Sequence, residues 1–148
     1  MNELPDVTAT GADGQPLRLA DLPRPLVVYF YPKDDTPGCT REAQDFSGLA
    51  DDYAAASVQV VGISRDSVAK HAKFIAKHSL RVTLASDLDG QVTEAFGVWG
   101  EKQMYGRSYM GVERATFLFD RDGRLVREWR KVKVPDHAAA VLEAARAL

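Results

Sequence analysis

The sequence predicts an α/β fold, and three observations indicate it. Apolar β-rich runs alternate with helical patterns, a strand–turn–strand unit follows near the end, and no repeat or low-complexity tract interrupts this order. The run PLVVYFYP, residues 25–32, is typical of a fully buried strand. Alternating strands and helices followed by a hairpin predict an α/β or mixed α+β sandwich around a central sheet. The early β-α-β unit should be parallel and right-handed.

The first half of the chain supplies most of the sheet. The first 24 residues are predicted to form short strands and turns, with GADGQP as a hairpin turn. After the buried strand, residues 40–56 follow a helical spacing, and VQVVGIS (58–64) predicts a second buried strand. Residues 66–79 predict an amphipathic helix. Its cap should be Asp66 or Ser67, and its inward residues should be Val68, Ala72 and Ile75.

The second half of the chain is predicted to supply the remaining strands and helices. VTLASD (82–87) predicts a third strand and GQVTEAFGV (90–98) a short helix. RATFLFD (114–120), the turn RDGR and LVREWRKV (125–132) predict a hairpin, and an alanine-rich helix should begin after Pro135. A thioredoxin-like arrangement of layers satisfies this order of elements, as do other small α/β folds.

Composition bounds the function. At 148 residues, the chain is long enough for one domain with its own core, so we expect a single domain over 1–148. The formal charge of −2, from 19 basic and 21 acidic residues, argues against nucleic acid or an anionic membrane as a partner. No apolar run could span a membrane, and we expect no secretory signal, because MNELPDVTATG has neither a basic region nor an apolar one. The single cysteine forbids an internal disulfide, and together these features favour a cytoplasmic location.

The one cysteine, Cys39, lies where a loop meets a predicted helix. A buried strand ends at Tyr31, Pro32 terminates its pairing, and a loop carries the chain to a helix beginning at or near Cys39. The unpaired N–H groups and the dipole of a helix N-terminus favour an anion, which for cysteine is the thiolate. Thr36, three residues earlier, can donate and accept a hydrogen bond near the sulfur. The pattern therefore predicts an activated sulfur nucleophile.

A plainer interpretation has to be weighed against it. Most free cysteines are small buried hydrophobic residues, and a threonine three residues before a cysteine is weak support for chemistry when taken alone. The strand–loop–helix context makes the catalytic interpretation the better one, because loops after strand C-termini are where α/β proteins usually place their sites.

The segment YFYPKDDTPGCTREA, residues 29–43, closely resembles the active-site segment of peroxiredoxins, specifically the bacterioferritin comigratory protein or PrxQ subfamily. The family pattern is filled by Pro32, Thr36 and Cys39, and GVERATFLFD supplies Arg114 as the arginine that enters a late strand. The similarity continues through most of the remaining chain. It also implies a particular version of the fold, a thioredoxin-like three-layer α/β/α sandwich with a central mixed β-sheet.

The resemblance implies a thiol-dependent peroxidase. Cys39 would attack a hydroperoxide and become a sulfenic acid, and Arg114 would stabilise the thiolate and the transferring oxygens. Thr36 and the Cys39 backbone N–H would orient the peroxide, and Pro32 would shield the sulfur from water. Glu42, one turn into the helix, would support the geometry. The resemblance implies neither a metal nor another cofactor, and it favours a monomer.

The sequence departs from the family at the resolving cysteine. Many members carry a second cysteine where this chain has Gln44, and others carry it in the next helix, which here has none. We therefore expect a one-cysteine enzyme whose sulfenic acid is reduced by an external thiol. That reductant could be thioredoxin, glutaredoxin with glutathione, or a small thiol, and the sequence does not choose among them. No partner beyond the hydroperoxide and this thiol is expected.

Three other groups of residues are open to a functional interpretation. His71 and His78 lie seven apart on a lysine-rich helix, and we interpret them as surface histidines rather than metal ligands. Asp34 and Asp35 are interpreted as solvated loop residues. The aromatic segment VWGEKQMYGRSYMG, residues 98–111, is either a packed connection over the sheet edge or an apolar wall of the peroxide pocket, an alkyl-hydroperoxide surface or a dimer surface.

Two other functions compete with the peroxidase. A thioredoxin-type disulfide oxidoreductase requires C-x-x-C, which the residues around Cys39 do not supply. A peroxide sensor, or a redox-dependent binding protein with little turnover, would use the same cysteine, so the sequence separates it poorly from an enzyme.

Overall fold

The computed structural model describes residues 1–148 and contains nine strands and five α-helices. The strands are β1 (Thr8–Gly11), β2 (Pro16–Arg18), β3 (Leu26–Phe30), β4 (Gln59–Ser64), β5 (Thr83–Ser86), β6 (Trp99–Met104), β7 (Arg107–Val112), β8 (Ala115–Phe119) and β9 (Leu125–Trp129). The helices are α1 (Pro37–Gly48), α2 (Ala50–Ala55), α3 (Val68–His78), α4 (Gln91–Ala95) and α5 (His137–Arg146), and a 3-10 turn lies at Leu19–Asp21.

Seven strands form the central sheet, in the order β2-β1-β5-β4-β3-β8-β9. β3, β4 and β5 run parallel, whereas β1, β2, β8 and β9 pair antiparallel with their neighbours, so the sheet is mixed. All five residues of β3 are buried, as a continuous apolar run predicts for a central strand. The prediction of a parallel β-α-β unit followed by an antiparallel hairpin is confirmed.

Each face of the sheet has its own apolar cluster, because successive side chains of a strand point to opposite faces. On β3, Val27 and Tyr29 enter one cluster, with Phe46 of α1, Phe74 of α3 and side chains of α2 and α5. Val28 and Phe30 enter the other, together with side chains of α4 and of the base of β6–β7. The predicted α/β class, with three layers around a mixed sheet, is therefore confirmed.

Two local predictions were wrong, and one hairpin was not predicted. The helix expected over residues 40–56 is divided into α1 and α2, since Leu49 leaves the helical conformation between them. On α3, Ser67 does cap the helix, but the buried residues are His71 and Phe74, whereas Ala72 is exposed. Residues 99–112 form a separate two-stranded hairpin, β6–β7, for which no strands were predicted.

The strand order brings the C-terminal end of β3 beside the start of β8. Phe30 pairs with Ala115, so Arg114 enters β8 next to the loop that leaves β3. That loop, residues 31–36, leads directly into α1, and Cys39 lies in the first turn of this helix. Cys39 and Arg114, which are 75 positions apart in sequence, therefore meet at the end of the sheet where β3 finishes and β8 begins. None of the helices is long and apolar enough to cross a membrane.

Candidate active site

Cys39 is the third residue of α1, and its side chain lies against the sheet with 2% of the residue exposed. The helix begins two residues earlier than the sequence analysis expected, with Thr36 as the extended N-cap residue and Pro37 as the first helical residue. Proline suits this position because its fixed φ fits a helix and its missing N–H would have no partner there. The local sequence thus places the sulfur in the first helical turn.

Backbone donors are available around the sulfur. The first hydrogen bond at the start of α1 runs from the N–H of Thr40 to the carbonyl of Thr36, at 2.8 Å. The N–H groups of Gly38 and Cys39 precede it and have no hydrogen-bond partner in the structure. Free donors at a helix N-terminus, together with the helix dipole, favour a negative charge at this place. They can stabilise a thiolate or bind an oxygen of a substrate.

Arg114 connects Cys39 to the acidic side chain of Glu42. Its Nη2 donates to the Cys39 Sγ at 3.3 Å, and its Nη1 donates to the Glu42 Oε1 at 2.7 Å. Only 16% of the Arg114 side chain and 1% of the Glu42 side chain are exposed, so solvent screens these charges little. Burial opposes the charge of Arg114, but the acidic neighbours raise the pKa of its guanidinium, which therefore remains protonated.

Gly38 allows this approach, and the sequence analysis missed it. A Cβ built at residue 38 would lie 3.1 Å from Arg114 Nη2, closer than ordinary van der Waals contact. A side chain here would therefore push the guanidinium away from the sulfur. The signal in the sequence was a glycine inside the first turn of a helix, where it costs stability relative to alanine unless a close neighbour requires it.

Glu42 is buried beneath the guanidinium. Burial raises the pKa of its carboxyl group to about 7, and the charge and hydrogen bond of Arg114 only partly oppose this shift. Oε2 of Glu42 has no hydrogen-bond partner. The carboxyl group therefore changes its charge near neutral pH. One hydrogen bond joins it to Arg114, which also contacts Cys39. This geometry makes Glu42 a direct support of Arg114.

Thr36 and Pro32 lie in the same loop but form no hydrogen bond with the sulfur. The Thr36 hydroxyl donates to the carbonyl of Lys33 at 2.8 Å, which leaves its oxygen lone pairs free to accept a hydrogen bond. Pro32 is half-buried where the loop leaves β3. The structure thus brings Cys39, Arg114 and Glu42 into contact and places Thr36 and Pro32 on the adjoining loop.

Four residues were interpreted as surface residues, namely His71, His78, Asp34 and Asp35. This interpretation was wrong for Asp34 and His71. Asp34 and His71 are buried, with the Asp34 Oδ2 2.6 Å from the His71 Nδ1. Asp35 does lie at the surface, where it contacts Lys77 and His78. The spacing of the histidines gave no sign of this difference, because the partner of His71 comes from a loop about 40 residues away. No group of three or more His, Cys, Asp or Glu side chains that could hold a metal ion occurs.

The β6–β7 hairpin does not cover the sheet edge as a packed connection. At its tip, Met104 and Tyr105 are 55% and 97% exposed, and Met110, which pairs with Glu101 nearer the base, is 53% exposed. Its base is held by Trp99, whose ring lies 3.4 Å from the guanidinium carbon of Arg65. The interpretation of this segment as a packed connection was therefore wrong for the tip.

This arrangement is suited to nucleophilic chemistry at sulfur. A buried sulfur lies at a helix N-terminus, a guanidinium donates to it, and two free backbone N–H groups are adjacent. Donors fixed in this way stabilise a thiolate, and they can also stabilise negative charge that develops on an attacked group. The chain has no second sulfur with which Cys39 could form an internal disulfide.

Comparisons with known proteins agree with this chemistry. A model of the AhpC/TSA family matches residues 1–128. Over 140 residues the chain is 47% identical to Peroxiredoxin Bcp of Bacillus subtilis, covering 94% of this chain and 89% of that protein. It is 50% identical over 122 residues to Peroxiredoxin Bcp of Xanthomonas campestris, covering 82% of this chain and 76% of that protein.

Solved structures extend the similarity to the fold. A structure described as giving insights into the alkyl peroxide reduction activity of the Xanthomonas campestris bacterioferritin comigratory protein superposes with a TM-score of 0.91. It is 43% identical in sequence, and the match covers 99% of this chain and 97% of that one. Peroxidoxin BcpB from Mycobacterium tuberculosis superposes with a TM-score of 0.87 at 35% identity, over 99% of this chain and 96% of that one.

Proposed function

The chain belongs to the AhpC/TSA family and is a Bcp/PrxQ peroxiredoxin, a thiol-dependent peroxidase, and from this premise we propose that Cys39 alone reduces the peroxide and is then regenerated by an external thiol. The observation that carries the proposal is the 3.3 Å contact between the Arg114 Nη2 and the Cys39 Sγ, made at the free N-terminus of α1. The proposed substrates are hydrogen peroxide and organic hydroperoxides.

In the first step, the Cys39 thiolate attacks the terminal oxygen of the hydroperoxide. An S–O bond forms while the O–O bond breaks, so sulfur loses two electrons and the leaving oxygen departs as water or an alcohol once it is protonated. Arg114 stabilises the thiolate and donates to the oxygens as charge moves along them. The free N–H of Cys39 and the Thr36 hydroxyl orient the peroxide, while Pro32 limits the access of water.

In the second step, an external thiol restores the enzyme. It attacks the Cys39 sulfenic acid to give a mixed disulfide and water, and a second thiol then releases the Cys39 thiol as a new disulfide forms. The single cysteine supports this route, since the position that carries a resolving cysteine in many relatives is the exposed Gln44. The reductant is thioredoxin, glutaredoxin with glutathione, or a small thiol.

Intact-mass analysis tests the one-cysteine route. After one equivalent of hydrogen peroxide, the protein should gain a single oxygen and remain a monomer, and the Cys39→Ser variant should gain none. A stable intermolecular Cys39–Cys39 disulfide as the only product would count against the proposal. A coupled assay in which thioredoxin, glutaredoxin with glutathione, and small thiols compete would then identify the reductant.

The burial of Cys39 favours one alternative, a peroxide sensor with little turnover. At 2% exposure, the oxidised sulfur is difficult for a large thiol to reach without movement of α1, which would slow its reduction. Steady-state peroxide consumption with a regenerating thiol separates the two functions. Many turnovers per Cys39 would establish an enzyme, and a single turnover would establish a sensor.

We also propose that residues 1–148 act as one domain and as a monomer in the cytoplasm. One seven-stranded sheet draws its strands from residues 8 to 129, and α5 packs against α1 on one face of that sheet, so elements from both halves of the chain build one layered unit. Sedimentation at micromolar concentration should give the mass of one chain in the reduced state. A dimer that persists on dilution would refute the monomer.

A further inference from the structure

Helix α3 holds the loop that precedes Cys39 through a buried polar cluster that the proposed chemistry does not use. The Asp34 carboxylate lies between two buried side chains, with Oδ1 2.6 Å from the Tyr31 hydroxyl and Oδ2 2.6 Å from the His71 Nδ1. The His71 Nε2 lies 3.0 Å from the carbonyl oxygen of Ala85 in β5. His71 is fully buried, and the Asp34 side chain is 4% exposed.

The partners determine where the protons lie. A carbonyl oxygen can only accept, so the His71 Nε2 must carry a hydrogen. The His71 Nδ1 lies 2.6 Å from the Asp34 Oδ2 and 3.3 Å from the Tyr31 hydroxyl oxygen, so the ring packs against both side chains. Burial first, and then nearby negative charge, raise the pKa of the Tyr31 hydroxyl well above its usual value, so this group keeps its proton and donates to Oδ1.

Asp34 is a central residue of the turn that carries Thr36. The turn runs from Lys33 to Thr36, and the Thr36 hydroxyl closes it by donating to the Lys33 carbonyl at 2.8 Å. The backbone N–H of Asp34 donates to Asp66 Oδ2 at 2.9 Å, so backbone and side chain are both fixed. The direction of the Thr36 hydroxyl therefore depends on how firmly Asp34 is held.

We propose that the buried contacts of Asp34 with Tyr31 and His71 fix this turn against α3 and thereby position the Thr36 hydroxyl for the hydroperoxide. This inference rests on the proposed function, because it assigns to Thr36 a contact with substrate. Asp34 and His71 are positioning residues, since neither forms a hydrogen bond with Cys39 or Arg114. They link α3, β5 and the loop in one chain of contacts.

A second set of charges on the same loop supplies a matched control. Asp35, the next residue, accepts from Lys77 and His78 of α3 at 2.7 and 2.9 Å, but the Lys77 side chain is 60% exposed. Exposed pairs contribute little, because solvent and salt screen them, whereas removing one member of a buried polar contact leaves the other without a partner. Loss of Asp34 should therefore disturb the loop, and loss of Lys77 should not.

Three variants compared by stopped-flow kinetics test the proposal. Asp34→Ala should slow the reaction of Cys39 with hydrogen peroxide roughly 10- to 100-fold, because small displacements of a positioning group carry penalties of this size. Asp34→Asn should stay within about threefold of the wild-type rate, since its amide has the same shape and can still accept a hydrogen bond from Tyr31. Lys77→Ala should likewise stay within about threefold.

Alkylation of Cys39 by iodoacetamide separates positioning from general damage, because this reagent does not need the Thr36 hydroxyl. In Asp34→Ala the alkylation rate should remain within about threefold of wild type while the peroxide reaction slows far more. Equal losses in both reactions, or a wild-type peroxide rate in Asp34→Ala, would overturn the proposal. If Asp34→Ala does not fold, His71→Gln provides the same comparison with every loop residue retained.

Nitrogen NMR of His71 tests the buried contact without any peroxide chemistry. The Nδ1 resonance should shift in Asp34→Ala relative to the wild type, whereas the Nε2 resonance, held at the Ala85 carbonyl, should change little. An unchanged Nδ1 resonance in Asp34→Ala would overturn the proposal. A wild-type protein that does not react with peroxide would instead refute the proposed function.

Discussion

Arg114 lies with one guanidinium nitrogen 3.3 Å from the sulfur of Cys39, although 75 residues separate the two in the sequence. The antiparallel pairing of β3 and β8 creates this contact, because it brings the residue before β8 beside the loop that leads into α1. The other nitrogen is engaged by Glu42, so the guanidinium cannot rotate freely. The fold thus fixes a positive charge at the sulfur before any substrate arrives.

Replacing Arg114 tests whether its positive charge accelerates the reaction of Cys39 with peroxide. Arg114→Ala should slow the reaction of Cys39 with hydrogen peroxide by roughly 10²- to 10³-fold, as expected for the loss of one preorganised donor to developing charge. Arg114→Lys should retain part of the rate, because it keeps a positive charge but cannot bind Cys39 and Glu42 together. Stopped-flow measurement of the peroxide reaction gives both values. A wild-type rate in Arg114→Ala would show that its assigned role is wrong.

A second prediction concerns the glycine beneath the guanidinium. Gly38→Ala should slow the peroxide reaction by about tenfold, since a Cβ 3.1 Å from Arg114 Nη2 would displace this group by a few tenths of an ångström. The thermal stability should not fall, because alanine is favoured over glycine in a helix.

Gly48→Ala is the matched control for that change. Gly48 lies in the same helix, and a Cβ at this position would meet no atom within 4 Å. Its peroxide rate should equal that of the wild type. Equal rates in Gly38→Ala and Gly48→Ala would contradict the idea that the glycine at 38 serves the approach of Arg114.

Because Glu42 is buried, we expect the free energy of unfolding to depend on pH above 4.5. Its folded pKa of about 7 is higher than the value of 4.5 expected for an exposed carboxyl, so the folded state holds this proton more tightly. The resulting stabilisation is complete below pH 4.5 and is lost as the pH rises to 7, which amounts to about 3 kcal/mol. Urea unfolding should show this loss for wild type relative to Glu42→Gln. A constant difference between the two proteins over this range would refute the shift.

Burial of His137 should change the stability with pH in the opposite direction. Burial first, and then the positive charge of Arg114, lower the pKa of this ring to about 4 from 6.5, so the folded state binds the proton more weakly. Its contribution is present above pH 6.5 and is lost as the pH falls to 4, by about 2 kcal/mol after allowance for partial solvent screening. His137→Gln should remove this part of the acid destabilisation, as measured by urea unfolding at pH 7 and pH 4. An unchanged pH dependence in the variant would contradict it.

The sequence was sufficient for the features that depend on neighbouring residues. The buried strand β3, the helix start near Cys39 and the hairpin β8–β9 all follow from local periodicity and turn residues. The pairing of Arg114 with Cys39 came from a family resemblance, because no local pattern specifies a contact between residues 75 apart.

The features that could not be predicted depend on tertiary contacts. His71 was interpreted as a surface residue because its helix is rich in lysine, but the loop residue Asp34 folds back to bury it. The role of Gly38 was missed because it depends on the position of Arg114, which no local pattern specifies. The β6–β7 hairpin was missed because its strands alternate poorly and leave large apolar side chains in solvent.

The ultraviolet absorbance of the reduced protein provides the most direct test of the central claim, which is that Arg114 stabilises the Cys39 thiolate through its contact with the sulfur. Relative to matched proteins that carry Cys39→Ser, the wild type should show more thiolate absorbance than Arg114→Ala under the same conditions. Equal thiolate absorbance in the wild type and Arg114→Ala would contradict the account.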